Sequence, residues 1–93
     1  MQTLRIEDIH LIYLVRNALE RERKLMETGI EITRQNLAYF ENRFQMLSED
    51  FYKKYQSGET DDDTDAMRWA AEIQAFQKLT GDYQKLTEIE IIS

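Results

Sequence analysis

The chain has 93 residues, 42% hydrophobic and 32% charged, with a net charge of −6, no Cys and no Pro. That balance excludes a disordered polar chain, and the length suits one small domain rather than two. Excess negative charge argues against a nucleic-acid partner and suits a basic protein. The lack of Cys excludes disulfides and thiolate metal sites.

Three Gly and no Pro leave few turn-makers, which favours helices. The opening "MQTLRIEDIH" lacks the pattern of a signal peptide. No apolar run is long enough to span a membrane. A cytoplasmic protein is expected.

Residues 8–28, "DIHLIYLVRNALERERKLMET", read as a first helix. Leu11, Leu14, Ala18 and Leu25 form one apolar stripe, and Ile12, Val15, Leu19 and Met26 form its neighbour. The combined face is wider than a lone surface helix needs, so this helix is expected to pack both on its own core and on a second subunit. Leu11, Ile12, Val15, Leu19 and Met26 are the expected dimer residues. Gly29 is placed to end the helix in the left-handed conformation. Thr33 then reads as an N-cap, with Ile32 and Leu37 as a hydrophobic staple. The second helix carries Leu37, Phe40 and Phe44 and stops near Gln45 or Met46.

Ser48 repeats the cap signal, and Phe51 and Tyr55 face inward from a short helix that ends at Ser57 and Gly58. After an acidic run, Thr64 or Asp65 is placed to cap a last helix. Its apolar stripe is Trp69, Ile73, Phe76, Leu79 or Thr80, Tyr83 and Leu86. Gly81 weakens that helix by roughly 1 kcal/mol relative to Ala, which predicts a kink or an early end. The tail "TEIEIIS" and the start "TLRIE" are β-branched and alternate, so a short two-strand pairing of the two ends, or pairing of an end with another chain, is an expectation. The reading is an all-α domain over residues 1–93, of three or four helices with a long first one, forming a homodimer.

The acidic run invites a calcium reading. Asp61, Asp63, Asp65 and Glu72 fall at the first, third, fifth and twelfth places of a calcium loop. The sixth place, which needs Gly for its sharp turn, holds Ala66, and the eighth, normally apolar, holds Arg68. A solvated turn with helix-capping acids is the stronger reading, and no metal site is expected. Arg5 and His10 have the R-x4-H spacing of HEPN-type ribonucleases. That spacing does not bring both groups to one helical face, so His10 reads as a structural residue. No phosphate loop, nucleophile triad or cofactor motif occurs, so no catalytic residue and no cofactor is expected.

The stretch "EITRQNLAYFENRFQMLSEDFYKKYQSGETDDDTDAMRWAAEIQAFQKL", within residues 30–80, places a capped Leu37, Phe40 and Phe44 helix, a Ser48 helix start, a Gly58 end, an Asp-rich turn and Trp69–Ala70 in an order that resembles a family of small prokaryotic antitoxin-like proteins. Their pattern has a capped "LxxFExKY" helix, a "SEEFY" helix start, a "FxxGE" end, an Asp-rich "DxxD" turn and an aromatic "WA" opening the last helix. The matching residues are Leu37, Phe40, Glu41, Phe44, Ser48, Glu49, Phe51, Tyr52, Tyr55, Gly58, Glu59, Asp62, Asp65, Trp69 and Ala70. The chain departs from it at Gln45, where a "KYG" turn is expected, at Thr60 after "SGE", and at Gly81.

Such proteins are commonly encoded beside a small toxin-like protein of the TumE type, so the resemblance implies an antitoxin that binds and neutralises a cognate toxin from a neighbouring reading frame, without catalysis of its own. Tyr52, Tyr55, Glu59, Asp61, Asp62, Asp63, Asp65 and Trp69 are the expected partner-binding residues. The alternatives are a structural or adaptor protein that only self-associates, and a small ribonuclease using Arg5 and His10.

Overall fold

The computed structural model describes residues 2–61 and 63–92. In chain order it has β1 (Gln2–Arg5), α1 (Ile9–Phe44), α2 (Ser48–Gln56), α3 (Thr64–Thr87) and β2 (Ile89–Ile92). It is an all-α domain of three helices, the first long. The strands pair in parallel, Gln2 against Ile89 and Arg5 against Ile92. The expected pairing of the two ends is present, and the two strands run parallel.

The largest departure from expectation is α1. Residues 8–28 and 33–45 do not form two helices but one, of 36 residues. Gly29 does not end it. A Cβ added there would sit 3.6 Å from Leu79 Cδ1, so this turn of α1 lies directly on α3. Thr33 is not an N-cap either. It is buried, and its hydroxyl donates to the Gly29 carbonyl at 2.8 Å. A Thr inside a helix commonly satisfies its hydroxyl this way. The true cap is Asp8, whose Oδ1 accepts from the N–H groups of His10 and Leu11.

α1 ends at Gln45, which adopts φ 50 and ψ 49. A non-Gly residue in this left-handed region costs roughly 1–2 kcal/mol. Ser48 is the first residue of α2 rather than its cap. Its N–H donates to Glu41 Oε2 at 2.7 Å, and its hydroxyl accepts from the Trp69 indole N–H at 2.9 Å. α2 closes at Gly58, with φ 77, as expected. Asp63, not Thr64 or Asp65, caps α3: its Oδ1 accepts from the Ala66 N–H at 2.8 Å. The helix runs through Gly81 to Thr87 without a break.

The core sits at one end of the molecule, where α1, α2 and α3 meet. Leu37, Phe40, Phe51, Ala66, Trp69, Ala70 and Ile73 are its buried members. Trp69 is the centre, 2% exposed and stacked on Phe51 with ring centroids 4.0 Å apart and 7° between planes. Phe40 and Phe44 approach the same indole at 5.8 and 5.7 Å. Away from this cluster only α1, α3 and the strand pair continue, and the molecule is a rod of 55 × 22 × 17 Å. Its radius of gyration is 18.1 Å, against about 12 Å for a compact domain of this length.

Candidate functional site: an acid-rimmed aromatic pocket

The turn from α2 to α3 carries the acidic run back across the aromatic core. Thr60, Asp61 and Asp63 then form the rim of an open pocket of about 250 Å³. Phe44, Met46, Phe51, Ala66 and Trp69 form its walls. Two local features hold the rim. Gly58 takes the positive φ that reverses the chain, and the Glu59 N–H donates to the Lys54 carbonyl at 2.8 Å. Asp63 is then tied to the first turn of α3 as its cap.

Charge around the pocket is divided. Asp65 faces Arg43, with Arg43 Nη2 3.4 Å from Asp65 Oδ2. Arg43 also donates to the Tyr39 hydroxyl at 2.9 Å and lies over the Phe44 ring. The Tyr39 hydrogen bond, and then the charge of Asp65, push the Arg43 guanidinium pKa up. Among the described residues, Glu59, Asp61 and Asp63 take part in no ion pair. The rim therefore presents carboxylates, while the one acid behind it is neutralised within the chain.

The expected partner-binding residues separate under this geometry. Asp61 and Asp63 line the pocket and Glu59 is exposed beside it. Asp62 lies outside the described residues. Asp65 is turned to Arg43. Trp69 must be corrected from an interface anchor to the buried back wall, because its faces are covered by rings and its N–H is held by Ser48.

Tyr55 is half-buried against Phe51, with centroids 5.8 Å apart. Tyr52 belongs to a different concavity. It lines a groove of about 630 Å³ on the other flank of α2 with Leu37, Glu49, Ile73 and Phe76, and its hydroxyl accepts from Gln74 Nε2 at 3.3 Å. Sequence reasoning took Phe44 and Phe51 only as core and missed Met46 in the pocket altogether. The signal that could have marked Met46 is its place in the short α1–α2 turn, directly before a helix whose aromatic face is buried.

The calcium reading finds no support in the arrangement. Asp63 caps a helix, Asp65 faces Arg43, and Glu72 lies in a separate groove with Asn36, Tyr39 and Arg68. Among the described residues no cluster of His, Asp and Glu converges as a cation cage. Arg5 ends β1 and His10 lies in the first turn of α1, both exposed.

The expected dimer residues also change. Ile12, Val15, Leu19 and Met26 are half-buried within the chain, whereas Leu11 is exposed. Leu19 borders a cavity with Leu86 and Ile89, so this stripe is turned toward the chain's own α3 and β2. Further along, Tyr83 donates to Glu27 at 3.2 Å and Arg23 pairs with Glu20 and Glu27, which seals the same seam with polar groups.

No family model matches the chain, and neither a curated protein nor a solved structure matches it. Among the described residues no helix is long and apolar enough to cross a membrane.

The pocket is smaller than the 300–1,000 Å³ usual for small-molecule sites. Its scale is that of one long side chain. Aromatic and Met walls suit an aliphatic stem, and rim carboxylates suit a cationic head. That combination fits a Lys or Arg projected from a protein surface.

Proposed function

We propose that this protein is antitoxin-like: it binds and neutralises a cognate small toxin protein, acts as a homodimer, and has no catalysis of its own. The observation that carries the reading is the pocket of Phe44, Met46, Phe51 and Trp69 rimmed by Asp61 and Asp63. It is built to hold a basic side chain of another protein. The resemblance over residues 30–80 supplies the class of partner, since the matching residues Phe44, Phe51 and Trp69 are also pocket walls. With a partner that cleaves RNA through a basic active site, the rim acids stand in for phosphates and block that surface.

Charge complementarity of this kind mainly accelerates association and selects partners. The test is the double substitution Asp61→Asn and Asp63→Asn. Asn caps a helix as well as Asp does, so charge is removed while the start of α3 is kept. The rate of association with the cognate toxin falls at low salt and converges with the wild-type rate at high salt. An unchanged rate at low salt refutes the role of the rim. A second reading, a protein that only self-associates, is favoured by one observation: Leu11, Leu14, Leu25 and Ile32 lie exposed along α1.

A further inference from the structure

We infer that two copies of this chain pair through an antiparallel coiled coil of α1, seated on Leu11, Leu14, Ala18, Leu25, Ile32 and Tyr39. The inference rests on the self-association proposed above and replaces the stripe that the chain itself consumes.

α1 carries two stripes. The one through Ile12, Val15, Leu19, Met26, Leu37 and Phe40 is half-buried or buried. The other advances in alternating steps of three and four from residue 11 to residue 39, and every residue on it is exposed. Leu25 is 67% exposed and Ile32 53%. In heptad terms, Leu11, Ala18, Leu25, Ile32 and Tyr39 are a positions, and Leu14, Arg21, Thr28 and Gln35 are d positions. The a positions stay apolar over four heptads, while Leu14 is the one apolar d residue, so the apolar seam is narrow and runs along the a positions. Arg21, Thr28 and Gln35 at d make the pairing weak. The seam runs along the longest helix of a rod whose radius of gyration is 18.1 Å.

Flanking charge selects the orientation, as it does in coiled coils generally. Lys24 and Glu31 occupy consecutive g positions, are exposed, and join no ion pair among the described residues. An antiparallel pair with Leu25 level with Thr28 of the second copy sets Lys24 beside Glu31 of the second copy. Symmetry repeats the same contact on the other side. A parallel pair sets Lys24 against Gly29 and Glu31 against Asn36, with no opposite charges in register. The antiparallel register also brings Leu14 to Tyr39 of the second copy.

Because the chain has no Cys, single cysteines report on the seam without background. Sedimentation shows the wild type as a dimer, and Leu25→Glu with Ile32→Glu as a monomer whose helicity and Trp69 fluorescence are unchanged. Under mild oxidation, Leu14→Cys mixed with Tyr39→Cys forms the mixed disulfide. Leu11→Cys alone does not cross-link, since its two copies lie ~46 Å apart. A monomeric wild type overturns self-association itself. A dimer that survives the double Glu substitution overturns the seam alone. Rapid self-linking of Leu11→Cys overturns the orientation alone.

Discussion

Replacing Gly81 with Ala is expected to stabilise the protein. Gly81 lies well inside α3 and is exposed, and a Cβ built on it meets nothing within 4 Å. The substitution adds no clash and removes the backbone freedom that makes Gly a poor helix residue. The gain is about 1 kcal/mol, part of it from a less disordered unfolded chain. For a domain of this size that raises the melting temperature by roughly 4–8 °C. Gly58→Ala is the matched control. Its φ of 77 is left-handed, so the same added methyl costs roughly 1–2 kcal/mol although it too meets nothing within 4 Å. Thermal melts followed by far-UV circular dichroism, at one fixed protein concentration because the proposed pairing would shift the midpoint, measure both. A neutral or destabilising Gly81→Ala would refute a continuous α3 and restore the break that the sequence alone predicts.

Gln45→Gly removes the left-handed strain at the end of α1 but also loses the Gln45 Nε2 bond to the Asn42 carbonyl and frees the unfolded chain, so the expected net gain falls to about 0.5–1 kcal/mol in urea melts with an unchanged slope. Asp63→Ala, which loses the cap of α3, costs about 1 kcal/mol, while Asp63→Asn costs far less; equal losses would show that charge rather than capping matters there. The Glu20 carboxyl is held below its ordinary pKa first by its hydrogen bond with Arg23 and then by the charges of Arg23 and Lys24. A depressed folded pKa contributes stability above the unfolded value, ~4.3, and that contribution is lost as pH falls through the folded value. Glu20→Gln therefore flattens the acid limb of the stability curve, and an unaltered limb contradicts the pairing.

Much of the helical layer is legible residue by residue. Gly58 marks a helix end because a residue must be left-handed there. The stripe from Trp69 to Leu86 marks α3. What misleads is local chemistry with two uses. Ile32, Thr33 and Leu37 form the same pattern whether a helix starts or continues. The contact of the Gly29 turn with Leu79, fifty residues away, and the back-bond of the Thr33 hydroxyl decide for continuation. Ser48 looks like a cap, but its hydroxyl is claimed by Trp69. Three neighbouring residues are able to cap α3, and only the tertiary position of the acidic turn selects Asp63.

The candidate site divides in the same way. Asp61 and Asp63 stand out in the sequence as acids after a helix end. That they rim a pocket walled by Phe44 and Met46 depends on how the α1–α2 turn folds over Trp69. On α1 both apolar stripes are visible in the sequence. Which one faces inward is settled by α3, and the side named first for pairing is the side the chain uses itself.

The central claim is neutralisation of a small protein partner, and growth of cells carrying the neighbouring reading frame tests it most directly. Expressed alone, the product of that frame is expected to arrest growth, and co-expression of this chain to restore it, with weaker restoration by Asp61→Asn and Asp63→Asn. A neighbouring product that leaves growth intact, or an arrest that this chain does not relieve, would contradict the account.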